Sequence, residues 1–500
     1  MKGINKIFKK SCVLMLLLGT ISCNSWLDLQ PENQQTSDMF WESKEEVLAV
    51  LMSAYKQMRE CQDNFIQWGE LRGDGIDLGS KASNDEQKIK TLDIITSNGV
   101  CKWDKMYKVI GRANAILKYG PLVLERDPTF SEEVFNSYAA EAIFLRSLCY
   151  FYLVRTFECV PLVLEPYVDD SQEYAVGVSE ESVVLQKIID DLNAYLGKCK
   201  PGYEETSIKW QNKGRATQWA YHALLADIEL WRGNYDKVLA SCQAIYNSQR
   251  FESVTRENWY TIFYPGNSSE GIFELQYEGY NLSQGSKLWE WFYNDGSNSK
   301  YILGSKAAGL FENEENTETD LRGAKATYDP DNQTIWKYGG TGRLGVGAKR
   351  GDKEKDANWI FYRLTDIKLM EAEAWVMKGG DENFRKAYDI VMEIRNRAGL
   401  TVALAIPESE EDALKMVLDE RVCEFVGEGK RWFDILRVAK RDNYKYKKYL
   451  LDVLLDGIAA KDRPIWNSKL SNVKSYYLPI HEKEIENGKG ILIQNPYYVD

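Results

Sequence analysis

Imidazole is nearly missing from this chain: His222 and His481 are its two histidines in 500 residues. No Gly-x-Ser-x-Gly elbow, His-Glu-x-x-His pair or Walker A loop occurs, which removes the common hydrolase, zinc-protease and P-loop classes. His222 falls in a helical stretch and reads as a structural histidine, and His481 has no cysteine or serine motif beside it. No Cys-x-x-Cys occurs either. Cys12 and Cys23 lie in the N-terminal leader, and Cys61, Cys101, Cys149, Cys159, Cys199, Cys242 and Cys423 are scattered and odd in number. Neither a disulfide framework nor a zinc site follows, and no metal is expected; these are small apolar fillers. Gly340 to Gly345 spells Gly-x-Gly-x-x-Gly but is followed by a polar, glycine-rich loop rather than a helix, so no nucleotide cofactor is expected. Basic charge is in deficit, 63 Lys and Arg against 75 Asp and Glu, which disfavours nucleic acid and anionic lipid surfaces.

What is present begins with a leader. Lys2 to Lys10 is basic, Val13 to Leu18 is apolar but too short to span a bilayer, and Gly19-Thr20-Ile21-Ser22-Cys23 follows. Residues 1–22 read as a lipoprotein signal peptide, and the serine-cysteine junction resembles a lipoprotein box. Acylated Cys23 then anchors the chain to a membrane through residues 23–39, a polar tether. Loss of the leader's lysines takes the net charge from −12 to −16.

The rest, 40–500, reads as one mainly α-helical domain. Glu141 to Val163 is its centre: Ala142, Leu145, Leu148 and Tyr152 keep helical spacing, and aromatics crowd both sides. Arg146 and Arg155 inside it need buried partners, and Pro161 is the expected end. Ser43 with Glu46 makes a capping box for the helix of Val47 to Met58, and another helix carries Trp103 to Leu117. Helical pairs then accumulate. Glu181 to Leu196 is one helix; Gly214 to Trp231 and Asp236 to Ser248 flank a Gly-Asn-Tyr turn; Arg363 to Lys378 and Asn383 to Ala398 flank Gly379-Gly380. Small residues at the contact positions make these pairs resemble degenerate tetratricopeptide repeats, stacked into a solenoid scaffold.

Two stretches break the period. Residues 61–100 mix aromatics, amides and glycines and read as an irregular surface segment. The stretch of about 251–356 is a long, loop-rich insert dominated by Tyr, Trp, Gly, Asn and Ser. Flat aromatic rings beside amides and carboxylates suit sugars, whose apolar ring faces stack and whose hydroxyl rims hydrogen-bond. The candidate ligand residues are therefore Trp68 with Asn64, Gln67 and Asp74, and Tyr277, Tyr280, Trp289, Trp291 and Tyr293. Glu420, Glu424 and Glu428 recur every four residues, as a glycosidase pair would, but Arg421, Arg431 and Arg437 stand close enough to neutralise them. A structural ion-pair network is expected there, and no catalytic residue.

Ordered motifs carry a resemblance. Glu141-Ala-x-Phe-Leu-Arg146, Phe157-x-x-Val-Pro-Leu162, Asp419-Glu-Arg421, Glu428-Gly-Lys-Arg-Trp-Phe-Asp434 and Gln494-Asn-Pro-x-Tyr498 look like the signatures of the SusD/RagB family. So does Cys23 followed by Trp26-Leu27-Asp28 and Pro31. The resemblance implies a lipid-anchored, non-enzymatic outer-membrane protein of Bacteroidetes with four helical repeats. Its partners would be an oligosaccharide and a SusC-like TonB-dependent transporter that it caps. It also places the Trp68 cluster where such proteins tend to carry binding residues. Two alternatives remain: the same lid with peptide cargo, as RagB-like relatives imply, or a repeat scaffold without a small ligand.

Overall fold

The computed structural model describes residues 40–167, 175–203, 209–278, 285–292, 298–312, 319–351 and 354–499. The leader, Cys23, the tether, Tyr280 and Tyr293 lie outside the described residues.

Helix α1 (Lys44–Glu60) starts as expected, with the Glu46 carboxylate accepting from the Ser43 N–H at 2.9 Å. The next stretch corrects the sequence reading. Residues 62–69 are helical (α2, Gln62–Gly69) and mostly buried, because Gln62, Phe65, Ile66 and Gly69 share one face. Strand β1 (Ile76–Leu78) and the short helix Asn84–Lys90 follow, and α3 (Asp104–Arg126) lies along α1.

Helix α4 (Glu132–Phe157) is the central element, buried on every side from Ala139 to Phe157 and packed by α1, α3 and α5 (Glu181–Leu196). It stops before Pro161: Glu158 turns into the left-handed region at φ 67°, and Pro161 sits in β2 (Val160–Pro161), paired with β3 (Val178–Ser179). Both arginines inside α4 find partners. Arg146 donates to Asn114 and Asp191 at 2.8 Å, while Arg155 lies 3.8 Å over Phe151, 4.1 Å over Phe433 and 3.5 Å from Asp227.

Both helical pairs form. Helix α6 (Gln218–Arg232), capped by the Thr217 hydroxyl rather than opened at Gly214, pairs with α7 (Tyr235–Asn247) across Gly233 at φ 79°. The loop-rich stretch then threads into the core. Its β4 (Gly271–Leu275) and β5 (Tyr301–Leu303) pair antiparallel with β6 (Trp359–Arg363) and with β1, in the registers Gly271↔Arg363 and Ile76↔Leu303. Helices α8 (Leu364–Lys378) and α9 (Asp381–Arg397) form the second pair, α8 packing on α7, and α10 (Glu410–Phe425) closes against both. Helices α11 (Arg431–Tyr444) and α12 (Lys447–Leu455) complete the stack. The chain is mainly helical with few short strands.

Candidate functional site

Five cations converge on the end of α10. Arg363, delivered by the β4–β6 register, holds Glu424 at 2.6 Å and Glu428 at 3.1 Å. Arg322 holds Glu420 at 2.5 Å and Glu424 at 2.8 Å, Arg397 reaches Glu424 at 2.7 Å and also pairs with Glu270, and Lys337 holds Glu428 at 2.9 Å. Arg395 adds a longer contact to Glu420. The expected network is present, with different partners. Arg421 pairs with Asp366 and Asp434, Arg431 with Asp74, and Arg437 with Glu373 and Asp434. Helix α10 ends at Phe425, so Glu428 enters from a turn whose Gly427 and Gly429 take φ of 78° and 74°. Burial alone would raise the carboxyls, but Arg397, Arg363 and Arg322 hold Glu424 far below the usual range, and Arg363 and Lys337 lower Glu428. On Glu420 burial outweighs Arg322 and the carboxyl is raised, yet it is gripped by two cations. The cluster locks α10 to β6, α9 and the loop-rich stretch.

Glu70 sits against the same turn, accepting from the Gly429 N–H at 3.0 Å while its second oxygen has no partner among the described residues. Burial pushes its carboxyl up to about 7. The folded chain therefore holds this proton more tightly than the unfolded chain. That stabilisation is complete below about pH 4.5 and is lost as the pH rises through 7. Glu70→Gln, neutral throughout, is expected to gain stability relative to the parent between pH 5 and pH 8, by about 2–3 kcal/mol. Urea unfolding across that range measures it, and a pH-independent difference would contradict the assignment.

Among the described aromatic candidates, Trp68, Trp289 and Trp291 are core residues and Tyr277 is half-buried. Trp68 is 0% exposed, donates from Nε1 to the Val100 carbonyl at 2.8 Å and meets Phe157 edge-on. Trp291 is 4% exposed and packs against Tyr301 at 6.1 Å. Trp289 is 6% exposed beneath Lys349 and Lys355. Tyr277 is half-buried, its hydroxyl donating to the Arg59 carbonyl. A ring enclosed by other rings has no face for a sugar, which corrects the expectation for Trp68 and Trp291 most plainly. Of the polar candidates, Gln67 and Asp74 are half-buried and Asn64 is buried. Asn64 and Gln67 line a groove of about 240 Å³ with Ser83, Lys102, Asp104 and Lys105, although Asn64 donates to Lys102 and Gln67 to Glu86. Asp74, paired with Arg431, lines a separate charged cleft of about 750 Å³ beside Tyr446 and Tyr449.

A further groove of about 750 Å³ carries the rings the sequence reading missed: Trp41, Tyr107, Tyr119 and Tyr167, with Gly111 and Ala115 between them. It adjoins the Asn64–Gln67 groove, since Asp104 lines both. The signal was available: Tyr107, Gly111, Ala115 and Tyr119 recur every four residues on α3 and so share one face. The other sequence features take structural places. Gly340 to Gly345 forms bridged turns, with no helix after it among the described residues. His481 caps a short helix by accepting from the Lys483 N–H, and all seven cysteines of the described residues are free.

Two family models tile this chain. Residues 25–230 match one described as starch-binding associating with outer membrane, and residues 244–498, half of the chain, match that of the SusD family. The chain belongs to the SusD family. Full-length relatives agree: SusD-like proteins P38 and P2 of Formosa agariphila are both 24% identical, P38 covering 87% of this chain and 92% of its own length, P2 98% and 99%. Solved SusD structures share the fold. A SusD superfamily protein from Bacteroides thetaiotaomicron superposes with a TM-score of 0.71 at 21% identity, covering 92% of this chain and 99% of its own. A laminarin-binding SusD-like protein superposes at 0.68 and 22%, covering 91% and 99%. SusD-like proteins are glycan-binding proteins associated with the outer membrane. Among the described residues no helix is long and apolar enough to cross a membrane.

Proposed function

We propose that this chain is a cell-surface glycan-binding lipoprotein, anchored through Cys23, that caps a SusC-like TonB-dependent transporter and delivers oligosaccharides for import without breaking them. The observation that carries this reading is the pair of family models spanning residues 25–230 and 244–498. The likeness over nearly the whole chain to a laminarin-binding protein supports a neutral glycan as cargo. The buried network supports a purely structural role for the carboxylates of the motif helix: each is neutralised by at least one cation, and a general acid needs a free proton beside its substrate. Asn64, Gln67 and Asp74 remain the ligand candidates that line open grooves. Native electrophoresis of residues 24–500 through gels containing laminarin, soluble starch and other polysaccharides tests the reading. Retardation by at least one is expected, and free migration through all of them would contradict it.

A further inference from the structure

The face of α3 that bears Tyr107, Gly111, Ala115 and Tyr119 costs stability to keep. Glycine inside a helix is about 0.5–1 kcal/mol worse than alanine. Such a glycine usually marks a close approach by a neighbour. At Gly111 there is none: an added Cβ would meet nothing within 4 Å. The glycine instead floors the groove of about 750 Å³, between Tyr107 and Tyr119 and one turn from the first of them. By helix rise those tyrosines stand about 18 Å apart, the length of several linked sugar rings.

Rings line this floor. Trp41, whose backbone takes φ 71°, lies 5.2 Å from Tyr119, and Tyr167 is 41% exposed. Of the charges at the rim, Lys108 holds Asp104 at 2.8 Å, Arg112 is bound to the Ser53 hydroxyl and the Lys108 carbonyl, and Glu484 makes no ion pair among the described residues. Neutral groups are left over. The Trp41 indole N–H, the Tyr119 hydroxyl and the exposed Asn487 amide make no hydrogen bond among the described residues. Stacking faces bordered by neutral hydrogen-bonding groups fit a neutral glycan better than a peptide or an ionic ligand. The volume lies in the range of small-molecule sites. Asp104 also lines the neighbouring groove of Asn64 and Gln67.

We infer that the Trp41–Tyr107–Tyr119–Tyr167 groove is a stacking site for a linear neutral oligosaccharide, entered along α3 with Gly111 as its floor. The inference rests on the glycan-binding reading above and names the surface that performs it.

Blocking the floor tests it. In fluorescence titrations of residues 24–500 with laminarin and soluble starch, Gly111→Trp is expected to weaken whichever binds by at least about tenfold. Gly111→Ala should bind as the parent does, with an unfolding midpoint equal or higher. Tyr167→Ala is expected to lose about three- to tenfold, and covers the case in which the bulky variant does not fold. Unchanged affinity in Gly111→Trp or in Tyr167→Ala would overturn the site while leaving the function standing; a parent that binds no glycan would overturn the function itself. The rival occupant is the chain's own segment 24–39, which leads into Phe40 and Trp41. If that segment fills the groove, deleting it shifts tryptophan emission to the red while Gly111→Trp leaves glycan affinity unchanged, and the inference falls.

Discussion

Arg363→Met is expected to destabilise the folded chain by about 3–5 kcal/mol, or to leave no soluble protein. Arg363 is fully buried and touches Glu270, Glu424 and Glu428 at once. Removing it strands carboxylates that have no route to water, and an uncompensated buried charge costs more than the pair ever contributed. Arg397 and Lys337 soften the loss for Glu424 and Glu428 but cannot replace the backbone tie from Arg363 to the Glu424 carbonyl at 3.0 Å. Lys448→Ala, which breaks an exposed pair with Asp452, is the control and should leave the urea midpoint where it was. A midpoint shift for Arg363→Met no larger than that of the control would show that the network is not what locks α10 in place.

Trp68→Ala separates a core residue from a ligand residue. The buried indole fills space between Phe157 and the Val100 carbonyl, so truncation should cost about 3–5 kcal/mol while the protein that remains folded binds glycan as the parent does. The opposite pattern, unchanged stability with lost binding, would restore Trp68 to the ligand site and overturn its placement in the core.

The contrast explains what the sequence could and could not convey. Helix pairs were legible because their period is local: α6 with α7 and α8 with α9 fall within a few residues of where apolar spacing and glycine turns put them. The need for ion pairs around α10 was legible too, since buried charges demand partners. Their identity was not: the cations on Glu424 come from positions 322, 363 and 397, joined only by strand register and helix stacking. The aromatic stretch failed for the same reason. A Trp that stacks on a sugar and a Trp that meets Tyr301 edge-on have the same neighbours in sequence, and only the β1–β5 pairing that draws this stretch inward tells them apart. The α3 groove is hidden in the sequence because a tyrosine at helical spacing reads as packing, and only the open space over Gly111 shows otherwise.

Glycan capture by stacking, without turnover, is the function proposed for this chain. It is tested most directly by running residues 24–500 through the retaining polysaccharide gel at low and high salt and recovering the glycan afterwards. Retardation that salt leaves unchanged, with glycan of unaltered length, is the expected result, because ring stacking carries no net charge to screen. Retardation that collapses with salt would point to charged cargo, and shortened glycan would point to an enzyme; either would contradict the account.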